Sequence, residues 1–149
     1  MSRTSEQISH ILQSSQRWNA GLQWYDFLLA IAFHQDGTGE MLYGENQRLR
    51  SDLNFRYEIS ADMQIHFAFF GLPPYRGKMF ARTEERALKT VAFHLLDGPF
   101  AIDEPYHHQS TYRYLLRFAS DPFPEGQGHP DKSLLNYYGV REEEKRQRE

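Results

Sequence analysis

The sequence predicts a mainly β fold: an antiparallel up-and-down β-barrel of about eight strands with a short N-terminal helix. Short segments alternate apolar and polar residues, and turn-forming residues separate these segments at short spacing. Aromatic residues, which favour the half-buried surface of a sheet, make up 15% of the 149 residues. A closed barrel is preferred to a sandwich because the strands carry few of the features that protect exposed sheet edges. The main alternative is an α+β fold with one curved sheet around the helix.

Length and composition predict a single domain, residues 1–149, with the helix at about 5–14, the barrel at about 22–120 and a C-terminal tail at about 121–149. The net charge of −3, with both signs interspersed, disfavours nucleic acid as a partner. The absence of cysteine excludes disulfides and thiolate chemistry. The first ten residues contain no apolar stretch of signal-peptide length, and no segment has the roughly 18 apolar residues needed to span a bilayer, so we expect no membrane partner and a soluble, cytoplasmic protein.

The first elements are a helix, a long strand and a hairpin. Apolar residues recur at helical spacing over residues 5–13, which predicts an amphipathic helix. Residues 22–33 are almost continuously apolar and aromatic, which predicts one strand that bends. The stretch Asp36-Gly37-Thr38-Gly39 predicts a two-residue hairpin turn, because glycine supplies positive φ angles. The returning strand covers residues 40–43, with Gly39 at a bulge or at its start.

The middle of the chain predicts a second hairpin. One strand has its dry face at Leu53, Phe55, Tyr57 and Ile59, and the returning strand has Met63, Ile65, Phe67 and Phe69 on the same side. Residues 60–62 form the turn between them. Residues 71–77 contain two consecutive prolines, so they are expected to form a loop or an edge crossing.

The second half of the chain predicts further strands. Residues 87–96 have strand character and are expected to end at the breaker Asp97-Gly98-Pro99, with residues 100–102 as a separate short strand. Residues 110–120 form a strand with Tyr112, Tyr114, Leu116 and Phe118 on its dry face. The apolar patch at 134–138 is expected to tuck against the body before a charged end.

These pieces, in this order, resemble the small lipocalin-like branch of the calycin barrels. Trp24, the glycine turn at 36–39, the stretches "FRYEIS" and "MQIHF", and the arginine-bearing strand "YLLRF" carry the resemblance. It covers about residues 24–120 and implies an eight-stranded barrel whose mouth holds a small apolar ligand. It also implies that Arg117 or Arg113 packs over Trp24.

The side chains expected to face inward are bulky. They are Phe27, Leu29, Ile31, Phe33, Phe55, Tyr57, Ile65, Phe67, Val91, Phe93, Tyr112, Tyr114 and Phe118. The interior of an eight-stranded barrel is either filled by side chains or admits one small ligand. We therefore expect a well-filled core with at most a pocket at one mouth, and tyrosine hydroxyls that bind polar groups there.

The leading functional hypothesis is a non-enzymatic barrel that binds a small apolar or aromatic ligand. The predicted contact residues are Phe55, Tyr57, Phe67, Phe93 and Tyr114. No cofactor, metal or catalytic residue is predicted. Glu104, His107 and His108 are residue types that bind metal ions, but Pro105 and the adjacent placement of the histidines favour a solvated loop.

Two alternatives belong to other functional classes. The first is an isomerase or cyclase acting on an apolar substrate, which requires His66, His94 or His107 to approach a carboxylate at a cavity. The second is a structural or protein-interaction role, with exposed aromatics such as Tyr75, Tyr137 and Tyr138 as a contact patch, and a homodimer as one outcome.

Overall fold

The computed structural model describes residues 3–20, 27–45, 48–70, 87–104, 108–124 and 135–141. They form one helix, α1 (Ser5–Ser14), and eight strands: β1 (Trp18–Ala20), β2 (Phe27–Phe33), β3 (Thr38–Glu45), β4 (Arg48–Ser60), β5 (Gln64–Phe70), β6 (Ala87–Glu104), β7 (His108–Phe118) and β8 (Asn136–Arg141). Every strand pairs antiparallel with its neighbour in the chain, and β8 pairs with β1. The predicted closed eight-stranded barrel with a short N-terminal helix is confirmed.

Helix α1 begins at a capping box. Thr4 Oγ1 accepts a hydrogen bond from the Gln7 backbone amide at 3.1 Å, and Gln7 Oε1 accepts one from the Thr4 amide at 2.9 Å. The helix buries Ile8 and Leu12, which belong to the same apolar cluster as the barrel interior. The predicted helix is therefore present, and it packs over one mouth of the barrel.

The β2–β3 hairpin has a longer loop than the predicted two-residue turn. The His34 amide donates to the Thr38 carbonyl at 2.8 Å, and the Gly37 amide donates to the His34 carbonyl at 3.3 Å. Within this loop only Gly37 has a positive φ, of 86°. Gly39 lies in β3, where a Cβ atom would collide with the Ala32 carbonyl oxygen and the Phe55 ring.

The β4–β5 hairpin follows the predicted alternation. Leu53, Phe55 and Tyr57 are buried while the residues between them are exposed. The partner strand buries Ile65, Phe67 and Phe69. The expected loop at 71–77 lies outside the described residues.

Strand β6 differs from the prediction. Asp97-Gly98-Pro99 does not end it, because the strand continues from Ala87 to Glu104. The pairing with β7 shifts register between Asp97 and Phe100, so the break expected from the sequence is a bulge inside one strand. The Gly98-Pro99 peptide bond is cis.

Two strands of the barrel lie outside the predicted limits of about 22–120. Strand β1 precedes residue 22, and β8 comes from the segment interpreted as a tail. Asn19 pairs with Tyr138 and Ala20 pairs with Tyr137, which closes the sheet. The first-strand tryptophan observed here is Trp18, fully buried, whereas Trp24 and its expected arginine contact lie outside the described residues.

The barrel interior is filled by large side chains. The largest fully buried ones include Trp18, Tyr137, Phe55, Phe67, Phe69, Phe93, Phe118 and Phe123. Tyr112 is buried too, but it lies outside this cluster and packs its ring against Tyr138, with centroids 5.9 Å apart. All the other predicted inward residues whose side chains the structure describes belong to the apolar core cluster. The side chain of Phe27 is not among those described.

Both ends of the barrel are covered. Arg3, just before α1, binds Asp97 of β6 at 2.7 Å, whereas Lys89 Nζ donates to the Phe123 carbonyl at 2.6 Å. These two β6 positions are eight residues apart, roughly 26 Å along a strand. Helix α1 and the buried Phe123 therefore close opposite ends. No helical segment in the described ranges combines the length and the apolar character required to cross a bilayer.

Candidate functional site

All five predicted ligand-contacting residues lie in the barrel interior. Phe55, Phe67 and Phe93 are at most 2% exposed, while Tyr57 and Tyr114 retain 8% and 7% exposure. This difference separates three deep phenylalanines from two tyrosines that reach solvent. The tyrosines are therefore the members of the set through which an external molecule can first touch the interior.

Phe55 is the centre of the aromatic packing. Its ring lies 5.0 Å from that of Phe67 in an edge-to-face arrangement, and it also contacts Phe33, Tyr57 and Phe69 at centroid distances of 5.8 to 6.0 Å. Such pairs each add about 0.5–1.5 kcal/mol beyond the burial of their area. A ligand beside Phe55 would have to replace these contacts.

Tyr57 lies beneath the C-terminal end of α1. Its hydroxyl accepts a hydrogen bond from Gln13 Nε2 at 2.7 Å and donates one to the His34 carbonyl at 3.0 Å. Burial raises the pKa of Tyr57 above its ordinary value, and the charge of Asp36 acts in the same direction, while the Gln13 hydrogen bond opposes them. The hydroxyl is thus neutral at physiological pH and already has two partners.

Tyr114 lies near the N-terminal end of α1. Two guanidinium groups stand over its ring, Arg113 at 5.2 Å and Arg3 at 5.8 Å from the centroid. Trp18 packs against the same ring at 6.5 Å, and Asp97 holds Arg3 through two contacts of 2.7 and 2.9 Å. Tyr114 is therefore a rigid aromatic surface with positive charge beside it.

A groove of about 480 Å³ opens between the helix and Tyr114; we call it the α1 groove. It is lined by Arg3, Glu6, Gln7, His10, Ile11 and Tyr114. Only Tyr114 was singled out from the sequence as a ligand contact. The helix residues were missed because the apolar spacing of a helix predicts its buried face but not the strand on which it docks.

A second groove, of about 500 Å³, lies mainly along the outer faces of β4, β5 and β6. His66 lies there, exposed, with Nδ1 2.9 Å from Thr90 Oγ1. His94 is exposed as well, and His107 is not among the described residues. The two described histidines of the enzyme hypothesis thus lie on the outer surface and do not meet inside the barrel.

Metal-ligating residues do not cluster in the described ranges, where no group of three or more His, Asp or Glu side chains is placed to hold an ion. Residues 105–107, which include Pro105 and His107, lie outside these ranges. The side chains of Glu104 and His108 are not described either.

The predicted aromatic contact patch is wrong for Tyr137. This side chain is fully buried in the core, with its ring edge-on to Phe118 at 5.5 Å, because β8 is a barrel strand whose alternation turns Tyr137 inward. Tyr138 is half-buried and packs against Phe100. Tyr75 lies outside the described residues.

The comparisons with known proteins leave the family open. No family model matches the chain, and no curated protein or solved structure matches it either.

Proposed function

We propose that this protein is a non-enzymatic, lipocalin-like barrel that binds a small apolar or aromatic molecule at the mouth covered by α1. The α1 groove is the observation that carries the proposal. Its volume of about 480 Å³ falls within the roughly 300–1,000 Å³ common for small-molecule sites, and it contains Tyr114, a predicted ligand contact.

The lining of the groove suggests the chemistry of the ligand. Ile11 and Tyr114 offer apolar and aromatic surface, whereas the polar lining residues Arg3, Glu6, Gln7 and His10 offer hydrogen-bond donors and acceptors. Sites of this kind orient a mainly apolar body through a few polar contacts. The ligand expected here has an apolar or aromatic body and one hydrogen-bonding end.

The deeper predicted residues have a conditional part in this proposal. Phe55, Phe67 and Phe93 would contact a ligand at this mouth only if Ile8 and Leu12 withdraw, whereas Tyr57 retains 8% exposure with the helix in place. Those two helix side chains are at most 1% exposed. A compact ligand would bind in the α1 groove alone, whereas a longer one would displace the two side chains.

Calorimetry and thermal shift with a panel of fatty acids, retinoids and porphyrins test the proposal. At least one compound should bind, and Tyr114→Leu should weaken binding about tenfold by removing the aromatic surface. Arg3→Gln, a change at a partly exposed side chain, should weaken those compounds that accept a hydrogen bond from the guanidinium.

Tyr138→Leu is the matched control, because it makes the same substitution outside the core cluster. It should leave the affinity unchanged. A panel without a single binder, or equal losses in the Tyr114 and Tyr138 variants, would overturn the proposal.

A further inference from the structure

A separate polar pocket of about 420 Å³ lies where the segment after α1 meets the end of β8; we call it the arginine pocket. Its lining consists of Ser15, Gln16, Arg17, Asn19, Tyr112 and Arg141. Of the described residues that line it, two are arginines and none is acidic. It shares no residue with the α1 groove, so its role is independent of the function proposed above.

Hydrogen bonds around Ser15 bring the two arginines to one place. Ser15 Oγ accepts from the Val140 amide at 3.0 Å and donates to the Arg17 carbonyl at 2.8 Å. Ser15 is only 8% exposed, so this connection is sheltered from water. It fixes the chain on either side of the pocket, with Arg17 on one wall and Arg141 on the other.

Tyr112 orients the guanidinium of Arg141. Arg141 Nη2 donates to the Tyr112 hydroxyl at 3.1 Å, and the guanidinium carbon lies 5.6 Å from the centre of the Tyr112 ring. Tyr112 is itself 4% exposed and packed against Tyr138. A guanidinium held in this way loses less freedom when it binds a ligand than a mobile surface arginine does.

The backbone beside Arg141 has an unusual conformation. Val140 has a φ of 60°, in the left-handed region that β-branched residues rarely adopt. Its amide turns to Ser15, while the flanking residues Gly139 and Arg141 pair with β7. Such conformations persist where surrounding contacts impose them, and they are enriched at ligand sites.

We propose that the arginine pocket binds the carboxylate or phosphate group of a small molecule. The guanidinium groups of Arg141 and Arg17 would donate to its oxygens, because their forked donors match the spacing of oxyanion oxygens. Asn19 adds an amide donor at the pocket wall. The chain carries a net charge of −3, so binding at this pocket would depend on these two guanidinium groups and not on a broadly basic surface.

Titration of the full-length protein by calorimetry and by backbone-amide NMR tests this assignment. Inorganic phosphate and benzoate serve as separate probes for the two oxyanion classes, with sodium chloride at equal ionic strength as the reference. At least one probe should bind and shift the amide signals of residues 15–19. Arg141→Gln and Arg17→Gln should each weaken that probe about tenfold or more.

Arg117→Gln is the matched control. Arg117 is an exposed arginine on the neighbouring strand β7, bonded to Asn136 at 3.1 Å, and its replacement removes the same charge. This variant should keep the affinity. If it weakens the probe as much as Arg17→Gln does, or if neither probe binds above the chloride reference, the assignment is wrong.

The Arg17→Gln variant distinguishes a loss of binding from a loss of folding. Arg17 is exposed, so the substitution should leave the circular dichroism spectrum and the melting temperature of the protein unchanged. An unaltered affinity in folded Arg17→Gln and Arg141→Gln would also overturn the assignment.

Discussion

The side-chain amide of Gln13, in the last turn of α1, donates a hydrogen bond to the Tyr57 hydroxyl of β4 at 2.7 Å. The same hydroxyl donates to the His34 carbonyl in the β2–β3 loop. One phenol therefore joins the helix, a hairpin loop and the barrel wall. This arrangement sets the position of the C-terminal end of α1 over the mouth.

Tyr57→Phe should destabilise the protein by about 1–2 kcal/mol, because it removes both hydrogen bonds from a largely buried site. Urea denaturation measures this loss. Gln13→Ala should cost less, and the double variant should be less destabilised than the sum of the two single changes. Strict additivity would show that the Gln13–Tyr57 bond contributes nothing.

Tyr137→Phe should have the opposite effect. The Tyr137 hydroxyl is buried and has no hydrogen-bond partner among the described residues, so its removal relieves a desolvation cost. We expect the free energy of unfolding to be unchanged or to rise by about 1 kcal/mol, against the fall expected for Tyr57→Phe. A loss comparable to that of Tyr57→Phe would mean that the Tyr137 hydroxyl has a partner.

Alkaline pH should destabilise the folded protein through the Tyr137 hydroxyl. Burial raises the pKa of Tyr137 above its ordinary value, and the nearby charge of Asp121 acts in the same direction. The folded state thus holds this proton more tightly than the unfolded state does. The contribution of this proton to the free energy of unfolding is fully present below the unfolded-state tyrosine pKa, about 10, and it falls as pH rises beyond that value. Unfolding measured from pH 8 to 11 should show a shallower decline in Tyr137→Phe.

Gly39→Ala should destabilise the barrel by about 1–3 kcal/mol, because the added methyl group meets the Ala32 carbonyl and the Phe55 ring. Gly37→Ala is the comparison: no atom lies within 4 Å of its added methyl group, and only the positive φ opposes the change. Gly37→Asn should be better tolerated than Gly37→Ala, since asparagine adopts that region more readily. Thermal unfolding of the three variants tests both causes, and equal melting temperatures for all three would contradict them.

Thr38→Val should raise the pKa of Asp36. The Thr38 hydroxyl and then its amide donate to the Asp36 carboxylate at 2.6 and 3.1 Å, and these hydrogen bonds hold the pKa of Asp36 below its ordinary value. Because the folded-state pKa is depressed, the ionised carboxylate stabilises the loop at pH values above the unfolded-state pKa. This contribution is lost as pH falls through the folded-state pKa. Carbon-detected NMR titration of the carboxyl group should show the Asp36 pKa closer to its ordinary value in the variant, and the same pKa in both proteins would refute the assignment.

The alternation of residues 52–60 predicted β4 because each buried side chain there is separated from the next by one exposed residue. Strand β1 was missed because three residues are too few to display a period of two. Strand β8 was missed because its barrel neighbours, β7 and β1, are not evident from the local sequence, so Tyr137 resembled a surface aromatic. Gly98-Pro99 predicted a strand end, yet the pairing on either side continues through a bulge.

The candidate site was predictable only in part. The inward direction of Tyr57 and Tyr114 follows from strand alternation. Their partners are Gln13, in α1, and Arg3, just before it, and both depend on how the helix docks on the closed barrel. A single sequence contains no local pattern that relates Arg3 to Asp97, although the two lie 2.7 Å apart in the folded chain.

The pairing of Ala20 with Tyr137 affects how the protein is made. During translation, the three residues of β1 have β2 as a neighbour early, but their second partner emerges only near residue 141. Until then the aromatic rows of the nascent chain cannot be enclosed. Closure must follow synthesis of β8, and earlier arrest would leave a sheet with two unpaired edges open to aggregation or to chaperones.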